Sequence, residues 1–341
     1  MYKHLLRMTD QNGIIQFSKK AEPDINSGYT VDDNARALIV SINMKNEDGK
    51  RLSSIYGNFL KEAQKRDGTF SNLKIGKNFL PDLDSEDCFG RAFLASCFAA
   101  SEGDEELKDL GMRLIRKSLP NTLNIRSLRA AAYCIIGFGY LKDIFPGNRF
   151  IFDAAKKLAY HLIEHYSLNS SGSWQWFEEK LTYCNALLPH SLFTYYELSS
   201  DRKALKVAEK TLKFLSDALF EKGYLNIIGN RGWWNKESKP PLYDQQPVDA
   251  ASMILACLQA FVATGKKEYM IFAKGAYNWY WGENINKIPV VNEETQGCHD
   301  ALVPDGVNLN QGAEALVSYL IACQLLKEFE RGNALECVPA V

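Results

Sequence analysis

Polar clusters that open directly into Ala- and Leu-rich segments recur six times along the chain. Apolar residues repeat with a helical period within each segment, and the mean step between clusters is close to one sixth of the 341 residues. Each interval has room for a second helix and two loops. A helix pair that repeats in this way predicts a ring of hairpins that bury their apolar faces against one another. The clusters begin at Asp32, Glu86, Arg126, Tyr183, Gln245 and Asn310.

The predicted fold class is therefore all-α, an (α/α)6 toroid with an inner and an outer ring of helices. The pattern places inner helices at 34–46, 86–101, 124–142, 183–199, 247–264 and 311–330. The outer helices are a short N-terminal helix and residues 49–65, 104–118, 150–166, 201–219 and 266–281. Short β segments are expected only at 225–228 and 288–291.

No Pro/Gly/Ser-rich linker divides the chain, so residues 1–330 are expected to form one domain. Residues 331–341 lose the periodicity and are expected to form a loose C-terminal tail.

Long loops precede the inner helices, whereas the return connections are short. If the inner helices run parallel, the clusters and the long loops share one rim of the ring. Long loops on a rigid scaffold commonly carry function, so the active site is expected on this rim. The long loops span residues 11–33, 66–85, 167–182, 220–245 and 282–310.

The bulk composition excludes several classes of partner. Apolar residues make up 46% and charged residues 24% of the chain, and the net charge is −1. This balance gives no reason to expect a nucleic acid or a membrane as partner. The eight Cys residues are scattered without a CxxC pair, which indicates free thiols. The N-terminus lacks the apolar core of a signal peptide, so a cytoplasmic location is expected.

Two clusters repeat an Asp-x-x-x-Arg-Ala pattern at the start of an inner helix. Arg36 follows Asp32 and Asp33 by one helical turn, and Arg91 follows Asp87. Such acids could simply complement the helix dipole, but their repetition on one rim favours function. We expect each Arg to hold the acid on its own helix and to lower the pKa of that acid. The general acid should then lack an Arg neighbour, and the preferred candidates are Asp249 and Glu178.

All six Trp residues fall in three close pairs. Trp174 with Trp176, and Trp233 with Trp234, lie in long loops beside Asn, Gln and Glu. Exposed indoles in such company suit carbohydrate, because the ring covers the C–H face of a sugar while polar groups bind its hydroxyls. The alternative is that they pack the rim as core residues.

The remaining motifs predict no metal and no cofactor. His161 and His165 lie one turn apart on an outer helix and are interpreted as a solvated pair. Cys298, His299 and Asp300 are adjacent in sequence, which is a poor arrangement for chelating one metal. No GxGxxG, P-loop or GxSxG motif occurs.

Five segments resemble a little-characterised bacterial branch of the six-hairpin glycosidases, an (α/α)6-barrel superfamily. They are residues 28–38 (GYTVDDNARAL), 84–92 (DSEDCFGRA), 174–178 (WQWFE), 245–247 (QQP) and 308–314 (NLNQGAE). Relatives of this branch often occur fused to, or beside, glycosyltransferases. The resemblance thus implies an oligosaccharide or glycoside substrate, with a glycosyltransferase as candidate partner. The superfamily holds hydrolases, phosphorylases, epimerases and lyases, so the fold alone does not decide the reaction.

The leading hypothesis is an inverting glycoside hydrolase. Inversion needs two carboxyl groups roughly 6.5–9.5 Å apart, which acids on different helices can provide. The alternatives are a phosphorylase, a non-catalytic glycan-binding module that serves a glycosyltransferase, or a sugar epimerase. An epimerase would need histidines, of which only His190 and His299 fall near the rim.

The predicted site falls into two groups of residues. The predicted catalytic residues are Asp33, Asp87, Asp249, Glu178, Asp32 and Asp300. The predicted substrate-binding residues are Tyr29, Arg36, Glu86, Arg91, Trp174, Trp176, Tyr183, Asn185, Trp233, Trp234, Gln245, Gln246, His299, Asn310, Gln311 and Glu314.

Overall fold

A computed structural model describes residues 1–336, in which twelve α-helices form two concentric rings. Each inner helix packs between two other inner helices, and the last packs against the first, so the ring closes. The predicted (α/α)6 toroid is confirmed. The inner helices are α2 (Val31–Asn43), α4 (Glu86–Glu102), α6 (Leu128–Leu141), α8 (Leu187–Ser199), α10 (Pro247–Thr264) and α12 (Ala313–Glu336). The outer helices are α1 (Lys3–Met8), α3 (Glu47–Ala63), α5 (Glu105–Ser118), α7 (Arg149–Asn169), α9 (Arg202–Leu219) and α11 (Glu268–Asn278).

Side-chain caps define where three inner helices begin. Thr30 caps α2, Ser85 caps α4 and Ser127 caps α6, each accepting from the backbone N–H three residues on. The cap satisfies an N–H group that the helix itself leaves free. Because the acidic pairs of α2 and α4 follow these caps directly, they lie in the first turn, at the rim.

The inner helices are buried on nearly every side, as their composition requires. A Cβ on Gly90 would lie 3.0 Å from the Ala130 backbone, so this glycine permits the close approach of α4 to α6. Of the described helices, α10 alone has the length and hydropathy of a membrane span. Its place in the inner ring explains that composition, because both of its faces contact protein.

The loops contain short antiparallel strands, most of which the sequence analysis does not predict. The segment 225–228 is not a strand, and 288–291 contributes only the residue that begins β10. The strands are β1 (Thr9–Asp10), β2 (Gly13–Ile14), β3 (Ser18–Lys19), β4 (Glu22–Pro23), β5 (Tyr29–Thr30), β6 (Leu73–Ile75), β7 (Asn78–Leu80), β8 (Lys180–Leu181), β9 (Trp234–Asn235), β10 (Val291–Asn292), β11 (Gly297–Cys298), β12 (Ala301–Val303) and β13 (Gly306–Asn308). Strands β5, β6 and β7 form a three-stranded sheet, and the pairs are β1–β2, β3–β4, β8–β9, β10–β11 and β12–β13.

The last helix is longer than its periodicity predicts. Helix α12 continues to Glu336, past the expected end at residue 330, so the start of the predicted tail is helical. Residues 337–341 of that tail lie outside the described residues.

Candidate functional site

A cavity of about 780 Å³, here called the rim cavity, opens where the N-terminal ends of α2, α10 and α12 meet. It brings together residues that are far apart in sequence, as the ring geometry predicts. Six predicted site residues line it: Asp32, Asp33, Arg36, Gln246, Asp300 and Glu314.

Asp33 is a buried carboxyl group in the first turn of α2. Its Oδ1 accepts from Arg36 Nη2 at 2.9 Å, and Thr30 Oγ1 lies 2.6 Å from its Oδ2. Burial nevertheless raises the pKa of Asp33 to about 6, against the lowering effect of Arg36. The expected lowering of this pKa is wrong, because desolvation outweighs the ion pair.

Arg36 joins Asp33 to the last inner helix. The same Nη2 atom donates to Glu314 Oε2 at 3.1 Å, and Nε donates to the Asp32 carbonyl at 3.0 Å. The Glu314 side chain is 47% exposed, whereas that of Arg36 is 10% exposed. Arg36 therefore holds a carboxylate that faces the cavity.

Asp32 is held from the neighbouring helix. Arg91 Nη1 donates to Asp32 Oδ1 at 2.8 Å, and Asn72 Nδ2 donates to Oδ2 at 2.9 Å. The prediction that Arg91 holds Asp87 is wrong, because the buried Arg91 side chain reaches across from α4 to α2. Its guanidinium lies 5.0 Å from the centre of the Tyr133 ring.

Asp300 lies in the turn between β11 and β12 and faces the rim cavity. Its Oδ1 accepts from the Gly312 N–H at 2.7 Å, and Oδ2 makes no hydrogen bond within residues 1–336. Burial raises its pKa, as does the nearby Glu314 carboxylate. In the described part of the chain, no three His, Cys, Asp or Glu side chains are placed to hold a metal ion.

Asp249, in the first turn of α10, is a buried acid that does not line the rim cavity. Burial raises its pKa to about 7, while the backbone N–H groups of Cys184 and Asn185 lower it. Glu314 again contributes to the increase. Asp249 therefore lies close enough to Glu314 to sense its charge.

Asp87, in the first turn of α4, lies on the other side of the rim and is held by two hydrogen bonds. Asp87 accepts from Ser127 Oγ at 2.8 Å and from Tyr183 OH at 2.6 Å. Its two oxygens thus accept from the N-cap residue of α6 and from a residue of the loop before α8. Asp87 does not line the rim cavity.

Glu178 has an Arg neighbour, contrary to expectation. Arg129 Nη1 donates to Glu178 Oε2 at 3.0 Å, and the guanidinium also bonds Thr182 Oγ1, the Tyr183 carbonyl and Asn185 Oδ1. The loop before α8 carries Glu178 and places it beside Arg129 of α6. Glu178 and Arg129 border a separate surface cavity of about 620 Å³.

The first Trp pair is part of the packing, so the expectation of exposed indoles is wrong there. Trp174 and Trp176 are 4% and 0% exposed, and both pack against Phe214 of α9. Trp234 is half-buried in the same cluster, and its Nε1 donates to the Ser238 carbonyl. Trp233 is half-buried, with its ring centre 6.2 Å from that of Tyr183.

Seven more predicted substrate-binding residues lie outside the rim cavity and hold the loops together. Tyr29 OH, for example, donates to Asp10 Oδ2, and Glu86 accepts from two backbone N–H groups before α6. Gln245 is fully buried and bonds Trp279 Nε1. The seven residues are Tyr29, Glu86, Asn185, Gln245, His299, Asn310 and Gln311.

The rim cavity also contains residues that the sequence analysis did not select. Phe17 is 55% exposed in the segment between β2 and β3. Arg231 pairs with Asp244 at 3.0 Å, and Asp244 Oδ1 is buried without a hydrogen-bond partner in the described residues. These residues lie singly in long loops, so loop length is the only signal that points to them. Asn72 and Asn230 also line the cavity.

No protein-family model and no curated protein matches the sequence. Solved structures do match the fold. A sugar epimerase from a ruminal bacterium aligns with a TM-score of 0.74 at 14% identity, covering 97% of this chain and 95% of that one. A D-mannose isomerase aligns with a TM-score of 0.70 at 13% identity, covering 96% of both. A GH76 α-mannanase from Bacteroides thetaiotaomicron aligns with a TM-score of 0.63 at 13% identity, covering 90% and 88%.

These neighbours are enzymes that act on sugars, and at such identities they establish the fold. The fold that the resemblance to the six-hairpin glycosidases implies is therefore confirmed.

Proposed function

We propose that this protein is a carbohydrate-active enzyme that hydrolyses a glycosidic bond in the rim cavity. One observation carries the proposal: the cavity wall combines acids whose pKa is raised by burial, Asp33 and Asp300, with acids held by arginines, Asp32 and Glu314. A carboxyl group whose pKa is raised by burial is suited to act as general acid beside a second carboxyl group that acts as base.

In this proposal Asp300 is the general acid. It lines the cavity, its raised pKa favours the protonated form, and the Gly312 N–H orients it. Its proton passes to the glycosidic oxygen as the bond to the leaving group breaks.

Glu314 is the proposed base. Arg36 holds its carboxylate at the cavity, where it would take a proton from the attacking water. Its charge raises the pKa of Asp33, Asp249 and Asp300. Because the charge of Glu314 favours the protonated form of Asp300, it supports Glu314 as base and Asp300 as general acid.

The sugar epimerase is the second candidate, and the whole-chain likeness to a sugar epimerase and a sugar isomerase favours it. Epimerisation requires a base that removes a proton from a sugar carbon. No His lines the described walls of the rim cavity. Two histidines have a buried Nδ1 without a hydrogen-bond partner in the described residues: His299, which precedes Asp300 in the chain, and His190, which lies deeper in the ring.

A panel of α-mannooligosaccharides, cellobiose and free mannose, run in D2O, tests both candidates. New reducing ends without deuterium in the sugar support hydrolysis, whereas deuterium at C2 without cleavage supports epimerisation. Cleavage that depends on inorganic phosphate would indicate a phosphorylase. Glycan binding without any turnover would contradict the enzyme proposal, and the Asp300→Asn variant is the control for contaminating activity.

A further inference from the structure

A second cavity, here called the inner cavity, lies within the ring itself. It has a volume of about 240 Å³ and is lined by residues from all six inner helices. Its walls are mainly aliphatic, with Ile136, Leu258, Ile321 and Leu325 among them. A dry apolar cavity of roughly 150 Å³ is enough to hold benzene, so this one has room for a larger apolar group.

The inner cavity adjoins the rim cavity, because Arg36 and Val248 line both. Arg36 uses Nε and Nη2 in hydrogen bonds, but its Nη1 is buried without a partner in the described residues. Ser318 Oγ, on the inner wall, is also buried and unpaired there. The two residues are only 8% and 3% exposed. Buried donors without partners are unfavourable, and Arg36 lines both cavities, so its Nη1 points to a ligand with an oxygen at their junction.

We propose that the substrate is a glycoside with an apolar aglycone, an alkyl chain or a single aromatic ring, which occupies the inner cavity. The sugar lies among the acids of the rim cavity, and the oxygen that links sugar to aglycone lies near Arg36. This assignment rests on the proposed function and adds the substrate class to it. The polar rim cavity matches the sugar, and the Arg36 donor at the junction matches the linking oxygen. The mainly apolar inner cavity matches the aglycone.

The test compares ligands that differ only in the aglycone. Methyl, butyl and octyl α-D-mannosides, the same series of β-D-glucosides, and 1-octanol are titrated by calorimetry below the micelle concentration. The octyl glycoside should bind at least about tenfold more tightly than the methyl glycoside, since each buried methylene contributes a gain of about fourfold. 1-Octanol, which lacks the sugar, should bind more weakly than the octyl glycoside.

Substitutions that fill the inner cavity should remove this difference. Ala251 lines the cavity and is 4% exposed, so Ala251→Phe places a ring where the aglycone would lie. Val262→Phe on the same helix is the matched control, because Val262 is 50% exposed and lies outside the cavity. If Ala251→Phe does not fold, Leu255→Trp fills the same space from a half-buried position.

Equal affinity for methyl and octyl glycosides in the wild type would overturn the proposal. An octyl preference that survives both filling variants would also overturn it, as would 1-octanol binding as tightly as the octyl glycoside. Glycoside turnover without aglycone preference overturns this assignment and leaves hydrolysis standing. An octyl preference that is lost in Ala251→Phe, without turnover of any glycoside, supports the site and contradicts hydrolysis.

Discussion

Both halves of the rim carry acidic side chains with hydrogen-bond donors beside them, but the environments of these acids differ. The bonded half, at the N-terminal ends of α4, α6 and α8, supplies each acid with donors, as Asp87 and Glu178 show. The acid-lined half, at the ends of α2, α10 and α12, buries Asp33 and Asp249 and partly buries Asp300, and desolvation raises the pKa of each against the lowering effect of its hydrogen bonds. Asp33 has as many side-chain donors as Asp87, so the depth of its burial, rather than the number of donors or the motif that carries it, raises its pKa.

This difference has opposite consequences for stability and for function. A buried acid with several charged or polar donors adds to the stability of the rim. An acid whose desolvation outweighs its hydrogen bonds costs stability near neutral pH, but it keeps a proton that it can transfer. We therefore expect the bonded half to respond to mutation mainly in stability, and the acid-lined half mainly in rate.

The largest expected effect is on catalysis. Asp300→Asn should reduce turnover by roughly 10²–10⁴-fold, the usual contribution of a positioned proton donor. The matched variant in the bonded half, Asp87→Asn, should keep most of the wild-type rate. Both are compared by kcat/KM on the glycoside found in the panel. The wild-type rate should also fall as pH rises, because a general acid must be protonated to act. If Asp87→Asn lowers kcat/KM as much as Asp300→Asn does, the two halves of the rim do not differ in function as proposed.

The next effect is on stability. Arg129→Met removes the bonds to Glu178, Thr182, Tyr183 and Asn185 and should lower the free energy of unfolding by about 3–5 kcal/mol. Urea unfolding at pH 6 measures it.

The control in the acid-lined half is Arg36→Met. It should cost less, because the loss of Arg36 removes an effect that lowers the pKa of Asp33, so this acid takes up a proton instead of remaining as a buried charge. Glu314 is half exposed and keeps its hydration. Equal losses in the two variants would mean that Asp33 is ionised at this pH.

The pH dependence of stability sharpens the comparison further. Burial raises the pKa of Asp249 from 3.8 to about 7, so the folded state holds its proton more tightly than the unfolded chain. Stability from this group is complete below pH ~4 and declines as pH rises toward 7. Asp249→Asn should remove that decline and gain up to about 4 kcal/mol over the wild type at pH 8.

Urea unfolding at pH 5, 6.5 and 8 checks this prediction. Asp109→Asn on α5 controls for the loss of one charge, since Asp109 is exposed. A gain for Asp249→Asn that does not change with pH would contradict the assignment of a buried, protonated carboxyl.

The sequence predicts helices α2 to α12 well because each leaves a local periodic signal of ten or more residues, whereas α1 has only six residues. The strands are two or three residues long, which is too short for a periodic pattern to mark them. Two of the pairings, β5–β6 and β8–β9, also join distant segments, as Tyr29 does with Lys74. Acids placed before inner helices, such as Asp33, Asp300 and Glu314, are also predictable, since the ring brings every such segment to one rim.

Partners and burial could not be predicted in the same way. Arg91 lies one turn after Asp87 but bonds Asp32, because the choice depends on how two helices face each other. Trp174 and Trp176 lie in a loop rich in polar residues yet pack onto α9. Asp33 next to Arg36 indicates a lowered pKa, and only the depth of burial reverses that direction.

The smallest effect concerns Phe17, an aromatic side chain of the acid-lined half that is 55% exposed and lines the rim cavity. A ring in this position can cover the C–H face of a sugar. Phe17→Ala should raise KM by roughly threefold to tenfold, about 1 kcal/mol of stacking, and leave kcat nearly unchanged. Stacking acts on the bound substrate and on the transition state alike, so it contributes to binding rather than to the chemical step. Stability should change by less than about 0.5 kcal/mol, because the ring is already exposed.

Phe150→Ala is the control, since Phe150 is 42% exposed on the outer helix α7. It should alter neither constant. A Phe17→Ala variant with a lowered kcat and an unchanged KM would mean that the ring positions the reacting groups. The acid-lined half would then depend on the β2–β3 segment for its chemistry as well as for its walls.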